Sequence, residues 1–81
     1  MQSSNLQPPY YGGFLIMGAK MHLIDQIEHY RKEKNLPVFY ICNILAITDT
    51  EYFHMLSYHI RPTTYQLIMF IASENVALKN I

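Results

Sequence analysis

The chain has 81 residues, 51% of them hydrophobic, and six basic residues balance six acidic ones, so its formal net charge is zero. This length suits one small domain with a modest core, and the hydrophobic content excludes a chain that is disordered throughout. Proteins that bind duplex DNA usually carry an excess of Lys and Arg, because release of counterions from phosphate supplies much of their affinity. The neutral balance therefore argues against strong DNA binding without excluding it.

The cysteine content and the lack of a long apolar run indicate a cytoplasmic protein. The single Cys42 forms no internal disulfide and is expected to behave as a small buried hydrophobe. No apolar run of the sequence is long enough to span a bilayer. The short apolar piece at residues 14–17 has no basic residue before it, which is atypical of a secretory signal.

Residues 1–19 are expected to form an irregular N-terminal arm, followed by a domain at residues 20–81. Serine, proline and glycine punctuate the arm, and the aromatic and aliphatic residues between them could pack on another surface. Two interpretations stay open. Either the arm docks on the domain or on a partner, or Met17 is the authentic start and the residues before it are an upstream extension.

Apolar periodicity predicts an all-α bundle of four to five helices, at about residues 20–34, 37–45, 49–58 and 64–75. The inward stripe of the first helix is Leu23, Ile24, Ile27 and Tyr30. Its polar side is Asp25, Gln26, Glu28, Lys32 and Glu33. Asn35 suits a left-handed stop at its end.

Start signals place the other three helices. Pro37 suits the first turn of the second helix. Thr48 with Glu51, and Thr63 with Gln66, have the spacing of capping boxes. The expected inward residues are Ile41, Cys42, Leu45, Tyr52, Met55, Leu67, Phe70 and Ile71. Residues 76–81 either add one more turn or pack as a tail.

The joint spacing of these elements resembles the Cro and lambda-repressor type of helix-turn-helix transcriptional regulators. The residues that carry the resemblance are Leu36-Pro37, Ile41-Cys42, Leu45-Ala46-Ile47-Thr48, Pro62-Thr63 and Leu67 with Phe70-Ile71. They align without a gap with the family's Leu-Ser, Leu-Ala, Leu-Gly-Ile-Ser turn, Pro-Ser and final helix, over about residues 23–75. The resemblance implies a helix-turn-helix within the bundle, and a regulator similar to those of phage or mobile-element switches.

The positions that would face DNA depart from the family pattern. The resemblance leaves Thr50 and His54 as base-reading candidates and Arg61 as a phosphate contact. Val38 is apolar where the family has a Gln that braces DNA, and Phe53 offers no hydrogen bond. Asp49 would be repelled by phosphate, and Tyr58 replaces a usual glycine, so the backbone there is expected to differ.

Aromatic residues at positions that usually face solvent favour a protein partner instead. The expected partner interface is Val38, Phe39, Asp49, Phe53 and Tyr58, with Tyr40 nearby, because a cluster of exposed aromatic residues usually marks an interface. Two simpler interpretations stay beside this one. The apolar residues could add to the core, including under residues 1–19, and Asp49 with Glu51 could simply cap the third helix and complement its dipole.

The sequence carries no constellation for catalysis or for a cofactor. His22 and His29 are seven residues apart and His54 and His59 five apart, so neither pair has helical ligand spacing for a metal. There is no nucleophile with a nearby base and no Gly-rich phosphate loop. We therefore expect a protein that is not an enzyme and that holds no metal or cofactor.

Three functions follow from these observations. The favoured one is an antirepressor or modulator that contacts a partner repressor and binds DNA only weakly. The second is a Cro-like dimeric repressor that binds operator DNA through its third helix. The third is a structural protein that reuses the fold. The expected partners are thus a repressor protein or a second copy, with operator DNA as the alternative, and neither a membrane nor a small-molecule substrate.

Overall fold

The computed structural model describes residues 21–80, in which four helices pack around one core. They are α1 (Leu23–Glu33), α2 (Val38–Leu45), α3 (Asp49–Leu56) and α4 (Thr64–Glu74). Residues 21–80 contain no strand, so the predicted all-α class is confirmed. No helix in this range is long and apolar enough to cross a membrane. The predicted arm at residues 1–19 lies outside the described residues.

The core lies where one side of each helix meets the others. Its buried residues are Ile24, Ile27, Ile41, Cys42, Leu45, Tyr52, Met55, Leu67 and Phe70. All of these were predicted to point inward, whereas Leu23, Tyr30 and Ile71 are only half-buried. Periodicity therefore identified the core side of every helix, because only one side of each helix can be removed from water by its neighbours.

Two contacts set the relative direction of α2 and α4. The Gln66 side-chain amide donates to the carbonyl of Leu45 at 3.2 Å, which joins the start of α4 to the end of α2. At the other end, the Tyr40 hydroxyl donates to Glu74 at 3.0 Å. The two helices are therefore antiparallel. Tyr30 of α1 donates to the same carboxylate at 2.7 Å, so Glu74 ties three helices together.

Both predicted capping boxes are present and begin their helices. The Thr48 hydroxyl accepts from the Glu51 N–H at 3.1 Å, and the Glu51 carboxylate accepts from the Thr48 N–H at 2.8 Å. Thr63 and Gln66 repeat the pattern at 3.1 and 2.9 Å. Two backbone donors that a helix start leaves without partners are thus satisfied in each case, which fixes the first residue of α3 and of α4.

The first three helices end in the same backbone arrangement. The residue that closes each has a positive φ, 57° at Asn35, 59° at Ala46 and 65° at Tyr58. The N–H after each one reaches back five residues, from Leu36 to Arg31, Ile47 to Cys42 and His59 to His54, at 2.9–3.0 Å. Asn35 was predicted in this role. Ala46 and Tyr58 occupy a left-handed region that glycine favours. The backbone at Tyr58 therefore keeps a conformation that glycine would adopt, and the departure expected there from the sequence is not seen.

Several predicted helix bounds need correction. α1 begins at Leu23 rather than near residue 20, because Met21 and His22 are not helical and His22 makes no side-chain cap bond. Pro37 is the N-cap of α2, with an extended ψ of 158°, rather than its first helical residue. α3 ends at Leu56, before the turn that contains Tyr58.

Gln26 was predicted on the polar side of α1, but it is buried at 8% exposure. Its side-chain nitrogen donates to the carbonyls of Met21 and Lys79 at 3.2 and 2.9 Å. Its oxygen accepts from the Lys79 N–H at 2.8 Å. Burial of the amide is tolerated because peptide groups satisfy it. These bonds hold residues 76–80 against α1, so this segment packs as a tail rather than adding a helical turn.

Glu28, also predicted on the polar side, is the centre of a second polar cluster. Its carboxylate accepts from the Tyr52 hydroxyl at 2.7 Å and from Arg31 at 2.8 and 2.7 Å. Arg31 also donates to the Leu36 carbonyl at 2.6 Å. The bonds from Arg31 first, and from Tyr52, hold the pKa of the Glu28 carboxyl below its usual value despite burial. The cluster joins α1, α3 and the loop before α2.

Replacing Tyr52 with Phe should lower the free energy of unfolding by about 1–2 kcal/mol, because it removes a donor to a carboxylate and keeps the ring. Tyr65→Phe is the matched control, since Tyr65 is 70% exposed, and it should change stability by less than about 0.5 kcal/mol. Urea unfolding followed by circular dichroism measures both. Equal effects of the two substitutions would show that the Tyr52 hydroxyl contributes nothing.

The stability of the fold should decrease in acid as Glu28 takes up a proton. Because its pKa is lowered in the folded state, its contribution is present above the ordinary value of 4.5 and is lost as the pH falls through the folded value. Glu28→Gln should therefore flatten the acid part of the stability profile. Glu33→Gln, at a side chain 66% exposed, should keep the wild-type slope. An unchanged slope in Glu28→Gln would contradict this origin.

Candidate interaction surface

α3 turns one side to solvent. Tyr52 and Met55 point into the core. The opposite, exposed side carries Thr50, Phe53, His54 and Ser57, at helical spacing. These four residues are termed the α3 face. The structure thus brings together three predicted site residues, Thr50, Phe53 and His54, and Phe53 is 51% exposed.

α2 packs directly against α3. Its most exposed aromatic residue is Phe39, which follows the half-buried Val38 in sequence. Phe39 is 62% exposed. Val38 is half-buried and packs against the core, so it offers a partner less surface than predicted. Tyr40 is directed by its hydrogen bond towards Glu74 of α4. Of the predicted α2 residues, Phe39 therefore provides most of the exposed apolar area.

Tyr58 lies over the start of α1. Its hydroxyl donates to the carboxylate of Asp25, which raises the pKa of the tyrosine. Its ring centroid is 4.2 Å from that of His22, with the ring planes inclined by 34°. The left-handed backbone at Tyr58 places the side chain there after α3 has ended. Tyr58 is thus exposed, as predicted, but its contacts are with α1.

The first turn of α3 is acidic. Asp49 and Glu51 both lie there, at the end where the helix dipole favours negative charge. Burial first, and then the neighbouring Asp49 carboxylate, raise the pKa of the Cys42 thiol to about 11. Asp49 therefore has a structural role at the helix start, and it leaves negative charge beside the α3 face.

α3 and the turns on either side of it carry no Lys or Arg. No Lys or Arg occurs between Thr48 and Ile60. Arg31 is only 16% exposed and is engaged by Glu28, while Lys34 lies 5.9 Å over the Tyr30 ring. Arg61, the predicted phosphate contact, is exposed in the loop before α4. It is the nearest cation to α3 along the chain.

A groove of about 500 Å³ lies between α1, the end of α3 and α4. Its buried lining residues are Ile24, Met55 and Leu67, and exposed ones include Tyr58, Ile60 and Arg61. The lining contains no carboxylate, and residues 21–80 contain no group of three His, Cys, Asp or Glu residues placed to hold a metal ion. The groove therefore combines apolar side chains with the polar His22, Arg61, Thr64 and Asn80.

α4 exposes apolar residues that were not among the predicted site residues. Tyr65 is 70% exposed, Ile68 55% and Met69 38%. No charged side chain occurs between Thr63 and Ser73, so α4 is apolar on both its inner and its outer side. A surface helix normally has a polar outer side. That lack of charge was the signal by which the sequence could have revealed this surface.

No protein-family model, curated protein or solved structure matches the chain. Function is therefore inferred from the surface chemistry of residues 21–80. Two exposed apolar surfaces stand out, one on α2 and α3 and one on α4. The first is bordered by acidic residues and contains the predicted site residues, so it is the candidate site.

Cys42 should resist alkylation in the folded protein. The residue is 3% exposed and its thiol has a pKa of about 11, so little reactive thiolate is present at neutral pH. Iodoacetamide treatment followed by mass spectrometry should leave the native chain unmodified and should modify the urea-unfolded chain fully. Equally fast modification of both would mean that the thiol is accessible in the folded state.

Proposed function

We propose that this protein is a small helix-turn-helix transcriptional regulator that acts mainly by binding a partner repressor through Phe39 and the α3 face. The observation that carries the proposal is an exposed Phe53 in the middle of that face, with acidic residues before it and no cation between Thr48 and Ile60. This chemistry suits the surface of another protein better than it suits DNA.

The geometry of α2 and α3 supports the helix-turn-helix part of the proposal. The two helices pack directly and are joined only by residues 46–48. Ala46 supplies the left-handed turn and Thr48 caps the helix that follows. Cys42 is small, buried, and close to Asp49 at the start of α3, as expected where two helices of this motif cross. The resemblance of residues 23–75 to Cro-type regulators supplies the class of function.

The side chains of the α3 face suit contact with a protein better than contact with DNA. Phe53 gives no hydrogen bond to a base edge or a phosphate, whereas covering its exposed half in a partner's pocket is worth about 1 kcal/mol. Asp49 and Glu51 would approach phosphate with like charge. The same carboxylates cost little at the rim of a protein interface, where water still reaches them.

A Cro-like repressor is the second candidate function. It is favoured by Thr50 and His54, which are exposed together on the α3 face and could reach base edges. Arg61, exposed after α3, could hold a phosphate. In this alternative Arg61→Ala would weaken binding to every duplex, whereas in the favoured one it would leave partner binding unchanged.

Phe53→Arg should abolish capture of the partner when the tagged full-length chain is isolated from its native host. Ile68→Arg is the matched control, because Ile68 is 55% exposed on α4 and the same charge is introduced there. Both variants should keep the wild-type urea midpoint, since neither residue belongs to the core. The partner should be identified by mass spectrometry from wild type and Ile68→Arg, and be absent from Phe53→Arg.

Equal recovery of the partner with Phe53→Arg would contradict the proposed interface. Recovery of a partner that depends on Arg61 and disappears after nuclease treatment would instead favour the Cro-like alternative.

A further inference from the structure

The outer side of α4 presents an apolar stripe that no other part of residues 21–80 covers. Tyr65, Ile68, Met69 and Ala72 are all exposed and lie at i, i+3, i+4 and i+7, on the side opposite the buried Leu67 and Phe70. The stripe covers about two turns of helix, roughly 10 Å. Its middle residues, Ile68 and Met69, coincide with the middle of α4. We propose that this stripe binds the same stripe of a second copy of the chain, with the two α4 helices antiparallel.

The order of side chains along the stripe is what points to a second copy. In an antiparallel pair centred between residues 68 and 69, Tyr65 of one copy lies opposite Ala72 of the other, and Ile68 lies opposite Met69. The largest residue of the stripe therefore meets the smallest, twice, and the two aliphatic residues of intermediate size meet at the centre. A twofold interface needs this kind of self-complementarity, since the same patch must serve both sides.

Charge also favours a second copy. α4 has no ionisable side chain from Thr64 to Ser73 other than the Tyr65 phenol, so two such stripes meet without burying an ion or opposing like charges. The formal net charge of the chain is zero, so the copies do not repel each other at long range. Glu74, at the end of the helix, is already bonded to Tyr30 and Tyr40.

The size of the stripe sets the expected strength of the pairing. Two such patches would bury several hundred Å², below the roughly 1,200–2,000 Å² of a stable specific interface. We therefore expect a weak dimer whose formation depends on protein concentration in the micromolar range or above. The α3 face lies on another helix, so the pairing is independent of the proposed binding of a repressor.

Sedimentation velocity of the full-length chain, from micromolar to millimolar concentration, tests the pairing. Wild type should shift from monomer to dimer, and Ile68→Arg should weaken dimerisation by more than about tenfold, because two cations would face the centre of the interface. Phe53→Arg should dimerise like wild type. A chain that stays monomeric throughout, or equal effects of the two substitutions, would overturn the proposal.

A residue swap tests the antiparallel register. Tyr65→Ala leaves a gap opposite Ala72, and Ala72→Tyr forces two tyrosines together, so each should weaken the dimer several-fold. The double variant restores the large–small pairing and should recover the dissociation constant to within about threefold of wild type. A double variant no better than either single one would overturn the register. The two proposals can fail separately. A chain that captures the partner but does not dimerise overturns only the α4 pairing, and a chain that dimerises but captures no partner overturns only the proposed function.

Discussion

The carboxylate of Glu28 is the contact on which the orientation of α3 depends. A carboxylate taken largely out of water is costly unless it is hydrogen-bonded and paired, and here Arg31 and Tyr52 provide both. Arg31 also bonds the Leu36 carbonyl, so one cluster fixes α1, the loop before α2 and the inner side of α3. When Tyr52 points into the core, the helical repeat places Phe53 and the other residues of the α3 face on the side of the helix that faces solvent. The half-buried Glu28 thus helps to hold Tyr52 inward, and with it the outward position of the α3 face.

The need to pair Glu28 also helps to explain why basic residues occur on α1 but not on α2 or α4. The cationic side chain best able to enter a polar core, Arg31, is used to satisfy Glu28, and Lys32 and Lys34 lie at the far end of α1. α2 carries no charged residue, and α4 has only Glu74 at its end. The outer surfaces of these helices are therefore apolar or acidic rather than basic. Such a domain gains little from counterion release on a duplex, but it has two apolar surfaces from which contact with protein can displace water.

Much of the fold could be predicted from local patterns, and the remainder depended on contacts distant in sequence. The capping boxes at Thr48 and Thr63, and the stop at Asn35, follow from bonds within one turn, and they occur where predicted. The burial of Gln26 could not be predicted from local patterns, because its partner Lys79 is 53 residues away. The same holds for the Glu28–Tyr52 bond, which spans 24 residues. The exposed α3 residues Thr50, Phe53 and His54 could be predicted because helical spacing alone separates them from Tyr52 and Met55. Tyr58 could not be placed, since its position depends on a left-handed turn and on Asp25 of another helix. The α4 stripe could not be assigned from periodicity, because apolar residues occur on both sides of α4 and the repeat alone does not say which side the core covers.

The central claim is that the main partner of this protein is another protein rather than DNA. It is tested most directly by a titration in which the purified full-length protein is added to fluorescent duplex DNA from the region flanking the gene. Fluorescence anisotropy at physiological ionic strength gives the affinity of the protein for DNA without any partner. An α3 face of exposed Phe53 and flanking acids predicts no saturable binding at nanomolar concentration, and only weak binding that vanishes as salt is raised. Sequence-specific binding in the nanomolar range by the protein alone would contradict the claim that its main partner is another protein.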